Sequence, residues 1–154
     1  MPVIKDVPRY KDLKAVAAEA KFPVKGHLYL MREGRYLGYS DRCKLNLRSG
    51  EAVLISILPE KVEKVLIKAP GSVKCGEVCT IEFSAPGGKG AHVFHVEVRR
   101  PDGTLPFGYQ WNAYTSRGRS RFQFAANDQP GAWTITVRNV DTGITARKTL
   151  LLKK

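Results

Sequence analysis

The sequence predicts an all-β protein organised mainly as a two-layer antiparallel sandwich, and three observations carry that prediction. From about Lys64 onward, short apolar runs alternate with turn signals every ten or so residues, the spacing of sandwich strands. Within those runs the apolar side chains fall on every second position, as in Phe94, Val96, Val98 and in Trp133, Ile135, Val137, the period of a half-buried strand. The intervening turns are rich in residues that supply special backbone angles: Pro70-Gly71, Pro86-Gly87-Gly88, Pro101-Asp102-Gly103, Asn127-Asp128 with Pro130-Gly131, and Asp141-Thr142-Gly143.

Taken in order, the chain opens on a stretch with a different period. Leu13, Val16, Ala17 and Ala20 recur at spacings of three and four, which predicts a short helix over 10–21, stopped by Pro23. Strand-like runs follow at 25–31 and 36–40, joined by the Glu33-Gly34 turn. Cys43, Leu45 and Leu47 continue at period two, and Arg48 to Glu51 supplies another turn. The run 52–58 is apolar on both faces, which predicts a central strand ended by Pro59. Residues 1–61 therefore read as a helix and a small antiparallel β-module of about four strands. The charged stretch 60–63 is the boundary, short enough to hold the two parts in contact.

Residues 62–154 then supply seven strands, at 64–69, 78–85, 92–99, 108–115, 120–126, 132–139 and 145–153. Seven is the immunoglobulin count. Alternation assigns Cys79, Ile81, Phe83, Phe94, Val96, Val98, Phe122, Phe124, Trp133, Ile135 and Val137 to the interior. Trp133 is the largest of these, since a buried aromatic removes roughly 150–250 Å² from water.

Composition narrows the functional classes. With 154 residues, 43% hydrophobic and 26% charged, the chain has enough apolar material to fold and too little length for a catalytic barrel of about 250 residues. No apolar stretch reaches the roughly 18 residues that span a bilayer, and residues 1–10 contain no apolar run resembling a signal peptide. The net charge of +12 is spread evenly: residues 1–62 carry 12 basic and 7 acidic side chains, and 63–154 carry 14 and 7. A solvated basic surface is favoured over a dedicated nucleic-acid site.

Residues that could carry catalytic chemistry are few and scattered. Cys43, Cys75 and Cys79 cannot all pair, and no histidine stands near them at zinc spacing. Cys79 reads as a buried small hydrophobe, with a tight Cys75–Cys79 bridge as the alternative. His92 and His95 are three apart on a strand and point to opposite faces, and His27 is alone. Glu33, Asp41, Glu51, Asp102, Asp128 and Asp141 fall in turns, where Asp normally caps backbone groups. The glycine-rich Gly87 to Gly90 lacks the phosphate-loop pattern and a following helix. The expectation is a protein that is not an enzyme and has no metal or cofactor.

Two patterns are candidate binding features. Arg117, Arg119 and Arg121 alternate with Gly118 and Ser120, so they form a basic stripe on one strand face, suited to phosphate, sulfate or carboxylate groups. The same stripe also serves as a solvated face that discourages edge pairing. In 108–114, Tyr109 and Trp111 share a face and Tyr114 takes the other. They form either an aromatic platform for sugar rings or part of the core.

Two blocks resemble known families. The segment MREGRYLGYSD from Met31, followed by LRSGEAVLISILP, resembles the small C-terminal β-domain of multidomain glycoside hydrolases. The segments VKCGEVCTIEF, HVEVRRPDG and NDQPGAWTITVRNVDTG resemble bacterial immunoglobulin-like and macroglobulin-like modules. The resemblance implies a secreted or cell-surface, carbohydrate-associated accessory module that packs against other domains, subunits or copies of itself, edge strands offering one route. Glycan binding through Tyr109, Trp111 and Tyr114, and polyanion binding through the arginine stripe, are the alternative functions. Nucleic acid is the less favoured polyanion.

Overall fold

The computed structural model describes residues 14–48, 50–87 and 90–154. Among them there are eleven strands and no helix: β1 (Val16–Leu30), β2 (Arg35–Leu47), β3 (Ile55–Leu58), β4 (Leu66–Lys68), β5 (Ser72–Lys74), β6 (Val78–Ser84), β7 (His92–Arg99), β8 (Gln110–Thr115), β9 (Arg117–Gln123), β10 (Gly131–Asn139) and β11 (Thr145–Lys153). They form a three-stranded sheet in the order β2-β1-β3, a five-stranded sheet β5-β11-β10-β7-β8 and a three-stranded sheet β4-β6-β9.

The expected helix is a correction. Residues 10–13 lie outside the described residues, and 16–21 are the first part of β1. The apolar residues that fit a helical period also fit a strand: Val16, Ala18 and Ala20 stand opposite Leu47, Leu45 and Cys43. Those cross-strand pairs give the ribbon one wholly apolar face, whereas an isolated twelve-residue helix is marginal in water. The stretch 52–58 is also corrected. Only Ile55–Leu58 is strand, and it sits at an edge with β1 in the centre.

Sequence length forces this first sheet to curl. A straight β1 would be about 50 Å long at ~3.3 Å per residue. Yet the chain must pass from Leu47, opposite the start of β1, to Ile55, opposite its end, in eight residues, which reach at most about 28 Å. The β1–β2 register shifts between Lys21 and Gly26 and again between Leu28 and Tyr29, beside Gly38. Such irregularities are where strands bend. The curled ribbon brings Leu45 near Leu30 and Val53.

The other two sheets face each other around the interior that alternation assigned. Cys79, Ile81, Phe83, Phe94, Val96, Val98, Phe122, Phe124, Trp133, Ile135 and Val137 are all buried. They are joined by Val62, Val65, Val73, Leu150 and Leu152. All seven expected strands are present, and the count is corrected to eight by β5. Pro70-Gly71 breaks the first strand so that β4 pairs with β6, while β5 crosses to pair in parallel with β11. This arrangement is an immunoglobulin-like sandwich. The three cysteines are free thiols. The Cys75 Sγ donates to the Asp128 carbonyl at 3.4 Å, and burial pushes the Cys79 thiol up.

The first sheet and the sandwich meet at specific polar contacts. The Tyr29 hydroxyl donates to the Val62 carbonyl at 3.1 Å and accepts from the Val62 amide at 3.0 Å. The Arg138 Nη2 donates to the Met31 carbonyl at 2.7 Å, and the Ser56 hydroxyl donates to the Asp141 carbonyl. The β1–β2 and β10–β11 turns touch so closely that a Cβ on Gly143 would lie 2.3 Å from the Gly34 Cα.

Candidate functional site: the arginine face of the β4-β6-β9 sheet

Strand β9 has the burial pattern that its sequence requires. Arg117, Arg119, Arg121 and Gln123 are exposed, and Gly118, Phe122 and partly Ser120 turn inward. Its position is fixed at both faces. The single residue Ser116 carries the chain from β8 in one sheet to β9 in the other. Across that crossing the Thr115 hydroxyl accepts from the Arg117 amide at 3.2 Å and donates to the Arg117 carbonyl at 2.9 Å. On the inner side the Phe83 ring lies directly against Gly118, where a Cβ would meet ring carbons at 2.0–2.6 Å. The absent side chain is what lets that ring occupy the core next to the arginines.

Register then sets what surrounds the stripe. Arg119 is opposite Glu82, which is opposite Lys68, while Arg117 faces Ser84 and Arg121 faces Thr80. Arginines two apart on a strand stand roughly 7 Å from one another, so the three span about 13 Å. Glu82 holds both Lys68 Nζ and Arg119 Nε at 3.8 Å. Those contacts are loose and solvated, with Lys68 and Arg119 side chains 84% and 73% exposed, so each contributes little. A trough of about 560 Å³ runs along this face, with Leu66 at its margin. Four cations and one carboxylate share this face. Lys68 and Glu82 escaped the sequence reading because only the pairing register places them beside the stripe.

The aromatic candidates do not assemble into a platform. The Trp111 ring stacks on Phe122 (5.7 Å, 12°) and its Nε1 donates to the Ser120 hydroxyl at 3.0 Å, closing the sandwich between β8 and β9. Tyr109 packs on Phe122 and Trp133, and its hydroxyl donates to the Asp128 carboxylate and accepts from the Ala125 amide at 3.2 Å. Tyr114 stands apart, 77% exposed on the outer face of the five-stranded sheet. Of the six candidate residues the structure brings together Arg117, Arg119 and Arg121, and separates Tyr114 from Tyr109 and Trp111, which are half-buried against the core.

Burial, then the bond to Asp128, raises the Tyr109 hydroxyl above its usual value, and burial does the same for Tyr29. A proton held more tightly in the folded state stabilises it fully below about pH 10, and that stability is lost as pH climbs through the raised value. The urea midpoint of the protein is therefore expected to decline above about pH 10. Tyr109→Phe, which removes one of these ionisations, should decline less steeply. Identical slopes for the two proteins would refute the assignment.

Most of the remaining polar residues have structural partners, while both ring nitrogens of His92 are buried without a hydrogen bond. Asp102 Oδ1 accepts from the Thr104 amide and hydroxyl, which holds its carboxyl below the ordinary range. Asp128 and Asp141 accept from the amides of Ala125 and Val93. His27 bonds the Tyr36 hydroxyl, His95 lies between Asn112 and Glu97, and His92 is buried on the opposite face of β7. Among the described residues no three His, Cys, Asp or Glu side chains gather at metal-binding distance. No described helix is long and apolar enough to cross a membrane.

No protein-family profile matches the chain, and no curated protein matches it. Solved structures similar to part of this chain include the sulfur carrier protein SoxY from Chlorobium limicola f thiosulfatophilum. It is 15% identical over 58% of this chain and 79% of that one, with a TM-score of 0.41. Another is a CARDB domain from Pyrococcus furiosus in complex with di-metal ions, 17% identical over 58% of this chain and 86% of that one, with a TM-score of 0.40. Both are β-rich domains.

Proposed function

We propose that the protein is a non-catalytic interaction module whose outer β4-β6-β9 face binds an anionic polymer, in the first instance a sulfated or uronic-acid glycan of the extracellular matrix or cell surface. One observation carries this reading: Arg117, Arg119 and Arg121 project from a single strand face on which Glu82 is the one carboxylate among the described residues. Arginine forks match sulfate and carboxylate geometry, and a row of them gains by releasing counterions from a polyanion. A glycan fits better than single-stranded nucleic acid because the exposed positions of this face hold no aromatic ring on which bases would stack. The resemblance to glycosidase-associated β-domains supports an extracellular, accessory context.

Retention on immobilised heparin through a salt gradient tests the proposal, with duplex DNA of equal charge as the competing arm. Binding is expected at about 50 mM salt, with a steep salt dependence. Absence of retention, or tighter binding to the duplex, would overturn the glycan reading. Glu82 provides a finer check. Glu82→Gln removes the negative charge that engages Lys68 and Arg119, and should strengthen heparin binding by up to roughly fivefold, one weak surface pair being worth up to about 1 kcal/mol. Weaker binding by this variant would mean that Glu82 orders the arginines rather than competing for them.

A further inference from the structure

A second site lies on the opposite side of the sandwich, independent of the arginine face. Where the first sheet meets the outer face of the five-stranded sheet there is a cleft of about 380 Å³, within the roughly 300–1,000 Å³ of small-molecule sites. Met31, Leu54, Val93 and Val140 give it apolar walls. Its polar groups are Arg32, His95, Asn112 and Arg138.

Arg138 is one of three described residues, with His92 and Asn139, that keep a buried polar atom without a hydrogen-bond partner, and it is the charged one that lines the cleft. Its Nη2 is held by the Met31 carbonyl at 2.7 Å, yet its Nε is buried and has no hydrogen-bond partner. Among the described residues no carboxylate pairs with Arg138 or with Arg32. Glu97, on the same sheet face, is engaged by Arg99 at 2.8 Å and by His95 at 3.3 Å. The Asp141 carboxylate accepts from the Val93 amide and lies 3.5 Å from the buried His92. Partly buried guanidinium groups are normally matched by an anion, because leaving an N–H unsatisfied away from water costs free energy. Here a carboxylate partner is missing, and Arg138 lines the cleft.

We propose that this cleft binds a small organic carboxylate with a compact apolar body. The carboxylate accepts from Arg138 and Arg32, with the Asn112 amide within the same cleft, and the apolar body lies against Met31, Leu54, Val93 and Val140. Two charged donors favour the anion over its neutral isostere, and the walls favour an apolar acid over acetate. Because the cleft is walled by both the β1–β3 sheet and the sandwich, an occupant also ties the two together.

The test is an amide chemical-shift titration of the full chain with benzoate, using benzamide as the neutral isostere and acetate as the wall-less acid. Saturable shifts centred on Val93, His95, Asn112 and Val140 are expected with benzoate, with at least tenfold weaker binding of the other two, a difference of about 1.4 kcal/mol. Arg138→Gln should abolish binding. Since that variant also loses the Met31 contact, Arg32→Ala provides the second arm: it alters an exposed side chain, should keep the wild-type spectrum, and should weaken benzoate several-fold. Equal binding of benzoate and benzamide, shifts confined to the Arg117–Arg121 face, no shifts at all, or wild-type affinity in Arg32→Ala would each overturn the proposal.

Discussion

Replacing Arg117, Arg119 and Arg121 together with alanine is expected to lower heparin affinity about a hundredfold at ~50 mM salt, at roughly 1 kcal/mol for each exposed contact. The salt dependence should flatten by about one unit of log–log slope per arginine removed, since each cation that leaves the interface leaves its counterion on the polymer. Stability should scarcely move. The three side chains point to solvent, and the one ion pair lost among the described residues, Arg119 with Glu82, is 3.8 Å long and solvated. Exposed substitutions of this kind usually stay within about 0.5 kcal/mol. The informative control is an equal loss of charge elsewhere, for instance Arg35, Arg42 and Lys44 to alanine on β2. If that control weakens heparin binding as much as the stripe variant, the effect is net charge and the β4-β6-β9 face is not a site. If the stripe variant elutes with the wild type, the proposed function is wrong.

The sequence was most legible where one strand reports its own burial. The alternations at Phe94, Val96, Val98 and at Trp133, Ile135, Val137 place those side chains without any knowledge of their neighbours, and all of them are buried. The same logic put the three arginines on one face, because Arg-x-Arg-x-Arg has period two and no other reading on a strand. What stayed hidden depends on partners distant in the chain. Strand β5 has three residues with one buried side chain, Val73, and its partners are Leu151 to Lys153 at the far end of the sequence. Val16 and Ala20 fit a helix until Leu47 and Cys43 are known to stand opposite them. Tyr109 and Trp111 were correctly placed on a common face, but alternation does not say which face is inside. Phe122 and Trp133, reached only by folding, decide that. The junction cleft is drawn from residues between Met31 and Val140, so no local motif could mark it.

Gly118 is where core and proposed site depend on the same atom count, and Gly118→Val is expected to destabilise the protein by about 3 kcal/mol, at the upper end of the usual cost of overpacking. By ordinary strand propensity the change should help, because glycine weakens a strand interior and valine favours one. Packing reverses the sign here. A Cβ at this position would lie 2.0 Å from the Phe83 ring, and that ring is buried and packs at a tilt on Phe94, centroids 5.1 Å apart. Either the ring leaves the core or β9 moves off β6, and both outcomes also displace Arg117 and Arg119, which flank the glycine. Heparin binding should therefore fall together with stability, whereas the triple arginine variant loses binding alone. A double-mutant cycle separates this mechanism from a general intolerance of β9. With Phe83 cut back to alanine, the added valine has room, so Gly118→Val should cost at least 1 kcal/mol less in that background, the coupling expected of residues in direct contact. Additive effects of the two substitutions would show that the Phe83 ring is not what forbids a side chain at 118.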